Sequence, residues 1–168
     1  MLRVFLQVIS ISILAAFPAF AEDTGVPKGE VILTISGNVA KSNFEGGVQL
    51  DFEMLEAMGP ATFETSTIWT EGLQVFEGVS LAALVQDLGI TGTMLRATAI
   101  NDYAIEVPLT DAIEGGPIIA YRINEKVLSV RDKGPLWIVY PYDSDADYRS
   151  EVVYARSIWQ LDRIEAVD

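Results

Sequence analysis

Apolar residues along this chain come in short groups, each closed by Gly, Pro, Asn or Asp, and the spacing within each group predicts its element. Val31-Ile32-Leu33-Thr34-Ile35 reads as a strand ended by Ser36-Gly37-Asn38. Asp51 is placed to cap a short helix with Phe52, Leu55 and Met58 on one face, stopped by Gly59-Pro60. Ala61 to Trp69 and Leu73 to Phe76 are predicted strands on either side of the turn Glu71-Gly72, and Gly78 is read as a further turn. Ser80 then opens a helix in which Leu81, Leu84, Val85 and Leu88 form one stripe, with Gly89 as its left-handed stop.

The second half alternates with period two. Met94 to Ile100 and Ala104 to Val107 flank the polar break Asn101-Asp102-Tyr103, and Thr110 to Glu114 has room for one helical turn. Ile118 to Ile123 and Val127-Leu128 bracket Asn124-Glu125-Lys126 as a hairpin, Leu136 to Tyr140 reads as a buried strand, and Asp143 to Arg149 as a polar loop. Ser157 to Val167 is a closing strand with Ile158, Leu161 and Ile164 toward the core. Strands outnumber helices and the two do not alternate regularly, which points to an α+β fold with a mixed sheet rather than a doubly wound parallel one.

The first residues follow a different pattern. Arg3 precedes an apolar run from Val4 to Phe17, Pro18 breaks it, and Ala19-Phe20-Ala21 offers the small residues a signal peptidase requires. The run is shorter than the ~20 apolar residues of a membrane span. The expected organisation is therefore a signal peptide over 1–21, cleaved before Glu22, a polar lead over 22–29 and one domain over 30–168. A soluble periplasmic protein sent through the general export route follows, with no membrane insertion after cleavage. Roughly 150 residues suffice for one self-supporting core.

Composition narrows the chemistry. The chain has no cysteine and no histidine, so it has no thiolate nucleophile, disulfide, imidazole base or soft metal ligand. Carboxylates, hydroxyls, amides, aromatics and a few Arg and Lys remain. The formal net charge is −13, and such a field repels nucleic acid phosphates and anionic lipid surfaces. No Walker A or dinucleotide glycine pattern occurs. Asp143, Asp145 and Asp147 share the spacing that opens an EF-hand loop, but Tyr148 stands where that loop needs Gly and Tyr154 where it needs Glu, so a solvated acidic turn is expected.

Several blocks together resemble a known family. Leu33 to Val39, Leu50 to Met58, Phe76 to Leu81, Ala99 to Ala104, Gly134 to Pro141 and Trp159 to Ile164 are similar, in order and spacing, to the molybdopterin-binding oxidoreductase domain of the sulfite oxidase fold. The resemblance implies a sulfite-oxidase-type fold with a mixed β-sheet and a few short helices. In catalytic members it implies molybdenum held by a pterin dithiolene and one protein cysteine. The strand carrying that cysteine corresponds to about Thr65 to Trp69, which here reads Thr-Ser-Thr-Ile-Trp. A hydroxyl is a far poorer ligand than a thiolate near neutral pH. Basic anchors for a pterin phosphate are also sparse, and Arg3 stands alone where a preloaded cofactor would call for a twin-arginine signal.

The expectation is a member that binds no metal and no cofactor, with molybdopterin held by oxygen ligation as the alternative and no catalytic residue assigned. A surviving pocket would be rimmed by Trp69, by Asn101, Asp102 and Tyr103, and by Arg131 and Lys133, a set suited to a small, partly anionic or aromatic ligand. Tyr140, Tyr142, Tyr148, Tyr154 and Trp159 are expected to pack in the core and at its rim rather than form a partner surface. The function this supports is a small-ligand or partner-binding module in sensing or transport, working with an exported or membrane-bound protein. The competing class is a redox enzyme.

Overall fold

The computed structural model describes residues 25–168; the expected signal peptide lies outside them. The first half carries β1 (Val31–Gly37), β2 (Gly47–Asp51), α1 (Phe52–Ala57), β3 (Pro60–Ser66), β4 (Leu73–Ser80) and α2 (Leu81–Leu88). The second carries β5 (Met94–Ala99), β6 (Ala104–Pro108), β7 (Ile118–Ile123), β8 (Lys126–Val127), β9 (Leu136–Val139), α3 (Glu151–Arg156) and β10 (Trp159–Val167). The strands run in the order β2-β1-β10-β9-β7-β4-β3, with the β5–β6 hairpin on β10 and β8 on β7. Only β1 and β10 pair in parallel among the described strand pairs, so the sheet is mixed and the architecture is α+β. No helix among the described residues is long and apolar enough to cross a membrane.

Several elements form for the reasons their residues suggest. Gly89 ends α2 at φ 63° and ψ 43°, and Leu81, Leu84 and Leu88 are buried beneath that helix. Asn124 and Glu125 take φ 48° and 65° in the β7–β8 turn, the paired left-handed conformation that suits the twist of a two-residue hairpin. β9 is buried at all four positions and β7 at its first four, so the core lies on both sides of the sheet centre.

Three expectations change. Gly78 does not turn the chain; it lies inside β4, where the register against β7 shifts between Glu77 and Gly78. The strand expected from Ala61 to Trp69 ends at Ser66, and Trp69 falls in the turn beyond it. Ser150 opens a helix that the polar loop reading did not contain, its hydroxyl accepting from the Val153 N–H.

Asp51 holds the entry to α1. Its carboxylate accepts from the backbone N–H of Met54 at 2.9 Å, Lys28 at 2.7 Å and Gly29 at 2.8 Å, tying the lead segment to the helix. Those N–H donors, Gly29 foremost, hold its pKa below the usual carboxylate value, against the opposing effect of burial. Asp51→Ala is expected to cost about 2 kcal/mol near neutral pH. A depressed folded pKa contributes stability above the unfolded value and loses it as pH falls through the folded one. Urea unfolding should therefore separate wild type from variant at pH 7, with the gap narrowing as pH falls through the lowered folded-state pKa of Asp51.

Candidate functional site

The centre of interest is a cluster of aromatic rings around Trp69. The turn that carries it is fixed locally: Thr67 Oγ1 accepts from the Trp69 N–H at 3.0 Å and shares a hydrogen bond with Thr70 Oγ1 at 2.8 Å. Trp69 meets Trp137, Tyr142, Tyr154 and Trp159 edge to face, with ring centroids 5.8, 6.2, 5.7 and 5.7 Å away. Trp137, fully buried on β9, extends the cluster to Phe76 at 5.4 Å. Trp137 Nε1 donates to the Ser157 carbonyl at 3.2 Å, and Tyr142 donates its hydroxyl to Ser157 Oγ at 2.6 Å. Ser157, itself buried, thus joins β9, Tyr142 and the end of α3.

On the outer side of this cluster lies a cleft of about 350 Å³. Trp69, Tyr154 and Trp159 supply its aromatic walls, and Asn101, Tyr103 and Gln160 its polar rim. None of its lining side chains carries a formal charge. Gln160 reaches the rim through an irregularity in β10: its φ is 54°, and the register against β9 shifts across it, between Trp159 and Leu161. Bulges of this kind re-aim a side chain. Five non-glycine residues among those described have left-handed φ, and the β7–β8 hairpin accounts for two. The other three, Asp102, Lys133 and Gln160, all adjoin this cleft: Asp102 sits between two lining residues, and the Lys133 carbonyl accepts from the Gln160 N–H at 3.0 Å.

Of the six residues singled out from sequence, Trp69, Asn101 and Tyr103 converge here. Asp102 turns away and pairs with Arg163 at 2.7 Å. Arg131 is exposed on the 130–132 turn, and Lys133 lays its ammonium over the Trp137 ring at 5.6 Å. Neither cation lines the cleft, so the anionic character expected of a ligand loses its basis. Sequence reasoning did not place Tyr154, Trp159 and Gln160 at the site. The signal that would have found Tyr154 is Ser150, which opens α3 and sets Tyr154 on that helix beside Trp69. Tyr140 and Tyr142 pack in the core as expected, and burial raises both phenols, Tyr142 to about 12.

The Thr65–Thr67 hydroxyls are engaged elsewhere. Thr65, fully buried, donates to Asp143 Oδ2 at 3.3 Å and accepts from the Asp143 N–H at 3.1 Å. Ser66 donates both its N–H and its hydroxyl to the same carboxylate, and these bonds, the backbone one first, lower the Asp143 pKa. Asp145 accepts from the Asp147 N–H instead of joining Asp143 around an ion. Among the described residues no group of three or more Asp or Glu is placed to hold a metal. No family model matches the chain, and no curated protein matches it.

Proposed function

We propose that this chain is an exported, non-catalytic binding module of the molybdopterin-binding-domain type. In this reading it works in the periplasm, takes up a small ligand in the Trp69 cleft and presents it to a sensing or transport partner. The sulfite-oxidase-type fold in this reading rests on the order of the sequence blocks, and an α+β mixed sheet agrees with it at the level of architecture. The observation that carries the binding role is the cleft itself: three aromatic walls, a rim of two amides and a phenol, and no charged group among them. Apolar concave surfaces with a few convergent polar groups are the usual form of small-ligand sites.

The residues present do not suit a molybdenum cofactor. The hydroxyls at the expected ligand strand are already committed, Thr65 and Ser66 to Asp143 and Thr67 to Thr70 and the Trp69 N–H. A thiolate is missing there, and Arg131 and Lys133 do not reach the cleft to meet a phosphate. Protein purified from its native host should contain far less than one molybdenum per chain and release no pterin on acid denaturation. One molybdenum and one pterin per chain would overturn the reading.

A further inference from the structure

The arrangement of rings in the cleft narrows the ligand further. Tyr154 and Trp159 each stand almost upright on Trp69, at interplanar angles of 84° and 74°. Both line the same cleft, together with Trp69. Rings set at such angles can turn more than one electron-rich face toward a small guest, whereas a flat stacking ligand is better served by parallel faces. Tyr103, 57% exposed, stands at the mouth.

Charge points the same way. The walls bring no cation of their own, since Arg163 is occupied by Asp102 and by the Ala99 carbonyl, and Lys133 sits over Trp137. A formal net charge of −13 gives the whole molecule a field that draws cations in. No carboxylate lines the cleft to form an ion pair, so a cation entering it would be held by ring faces and by its own apolar surface. That combination favours a cation whose charge is spread over methyl groups, because a compact ammonium with N–H bonds would forfeit hydration without a partner.

We infer that the Trp69–Tyr154–Trp159 cleft is an aromatic cage for a quaternary ammonium group, with Asn101 and Gln160 at the rim available to the polar end of the same ligand. This rests on the binding-module reading and names its ligand class. Isothermal titration of the mature chain with choline, with its uncharged isostere 3,3-dimethyl-1-butanol and with methyl glucoside tests it. Choline should bind at least about tenfold more tightly than the isostere, the contribution of a partly desolvated cation on aromatic faces. Trp159→Ala should lose that affinity and Trp159→Phe recover part of it, with near-ultraviolet circular dichroism confirming that both variants are folded. Equal affinity for the isostere, or binding of methyl glucoside without choline, would overturn the ammonium inference and leave the binding module standing. No binding of choline overturns the inference as well, and one pterin per chain would remove both.

Discussion

Trp137→Ala is expected to cost about 4 kcal/mol of folding stability, the largest single loss in the molecule. Trp137 is fully buried on β9, its residue in register with Ala120 of β7 and Trp159 of β10. Its ring packs against Phe76, Trp69 and Trp159, and Lys133 covers it. Truncation leaves a cavity where these contacts meet, and it also leaves the Ser157 carbonyl without its donor. A domain of this size typically has 5–15 kcal/mol in hand, so the variant should melt about 8–16 °C lower in calorimetry. Trp137→Phe keeps a ring in the cluster and loses the hydrogen bond; it should fall between the two. Trp69 is only half-buried and its replacement should cost less, but it touches four other rings, which makes Trp159 the cleaner residue for testing binding.

Gly78→Ala is expected to be strongly destabilising although it replaces only a single hydrogen by a methyl group. A Cβ at Gly78 would overlap the Ile119 carbonyl oxygen and the Ala120 Cα of the neighbouring strand. Those are backbone atoms at the centre of the sheet and cannot swing aside as a side-chain tip does. The β4–β7 register shift at this point leaves Tyr121 as the extra residue on β7, and a close-packed bulge of this kind tolerates only glycine. The expected cost is about 3 kcal/mol, at the upper end of overpacking effects. Gly72→Ala is the matched control: its φ is 65°, but nothing lies within 4 Å of the added methyl. It should lose about 1 kcal/mol through backbone conformation alone. Urea unfolding of both variants separates the two causes; equal losses would mean that the strand contact at Gly78 relaxes freely.

Much of the framework could be read from the chain because its local signals agree with the final fold. The Asp51 cap, the Leu81-Leu84-Leu88 stripe with Gly89 behind it, and the Asn124-Glu125 hairpin each depend on a few neighbouring residues. Where reading failed, tertiary contacts decided. Val48 and Leu50 form β2, but only these two apolar residues mark a five-residue strand, too short a pattern to stand out, and pairing with β1 decides it. Val152-Val153 favour a strand by type, yet Ser150, Glu151 and Arg156 cap and charge α3 at the matching ends. Gly78 punctuates the sequence like a turn because close approach and turning make the same demand for a missing side chain.

The site was partly legible for the same reason. Trp69 and the 101–103 break announce themselves by type, and the fold brings them to one cleft. The cations at 131 and 133 share their stretch of sequence with no such cue; Val130 and Lys133 meet Gln160 through backbone oxygens, while the Arg131 and Lys133 side chains stay out of the cleft lining. Tyr154 and Trp159 were visible as residues, but their place beside Trp69 depends on α3 and on the irregular start of β10.

The chain has three tryptophans, and that number makes a direct test possible. Trp69 and Trp159 line the cleft, whereas Trp137 is sealed beneath it with its indole N–H bound to Ser157. Titrating choline into ¹⁵N-labelled protein, with the three indole N–H resonances assigned by single substitution, reads the site itself. The expected result is saturable movement of the Trp69 and Trp159 signals while Trp137 stays nearly still; three unmoved signals, or movement confined to residues remote from the cleft, would contradict the account.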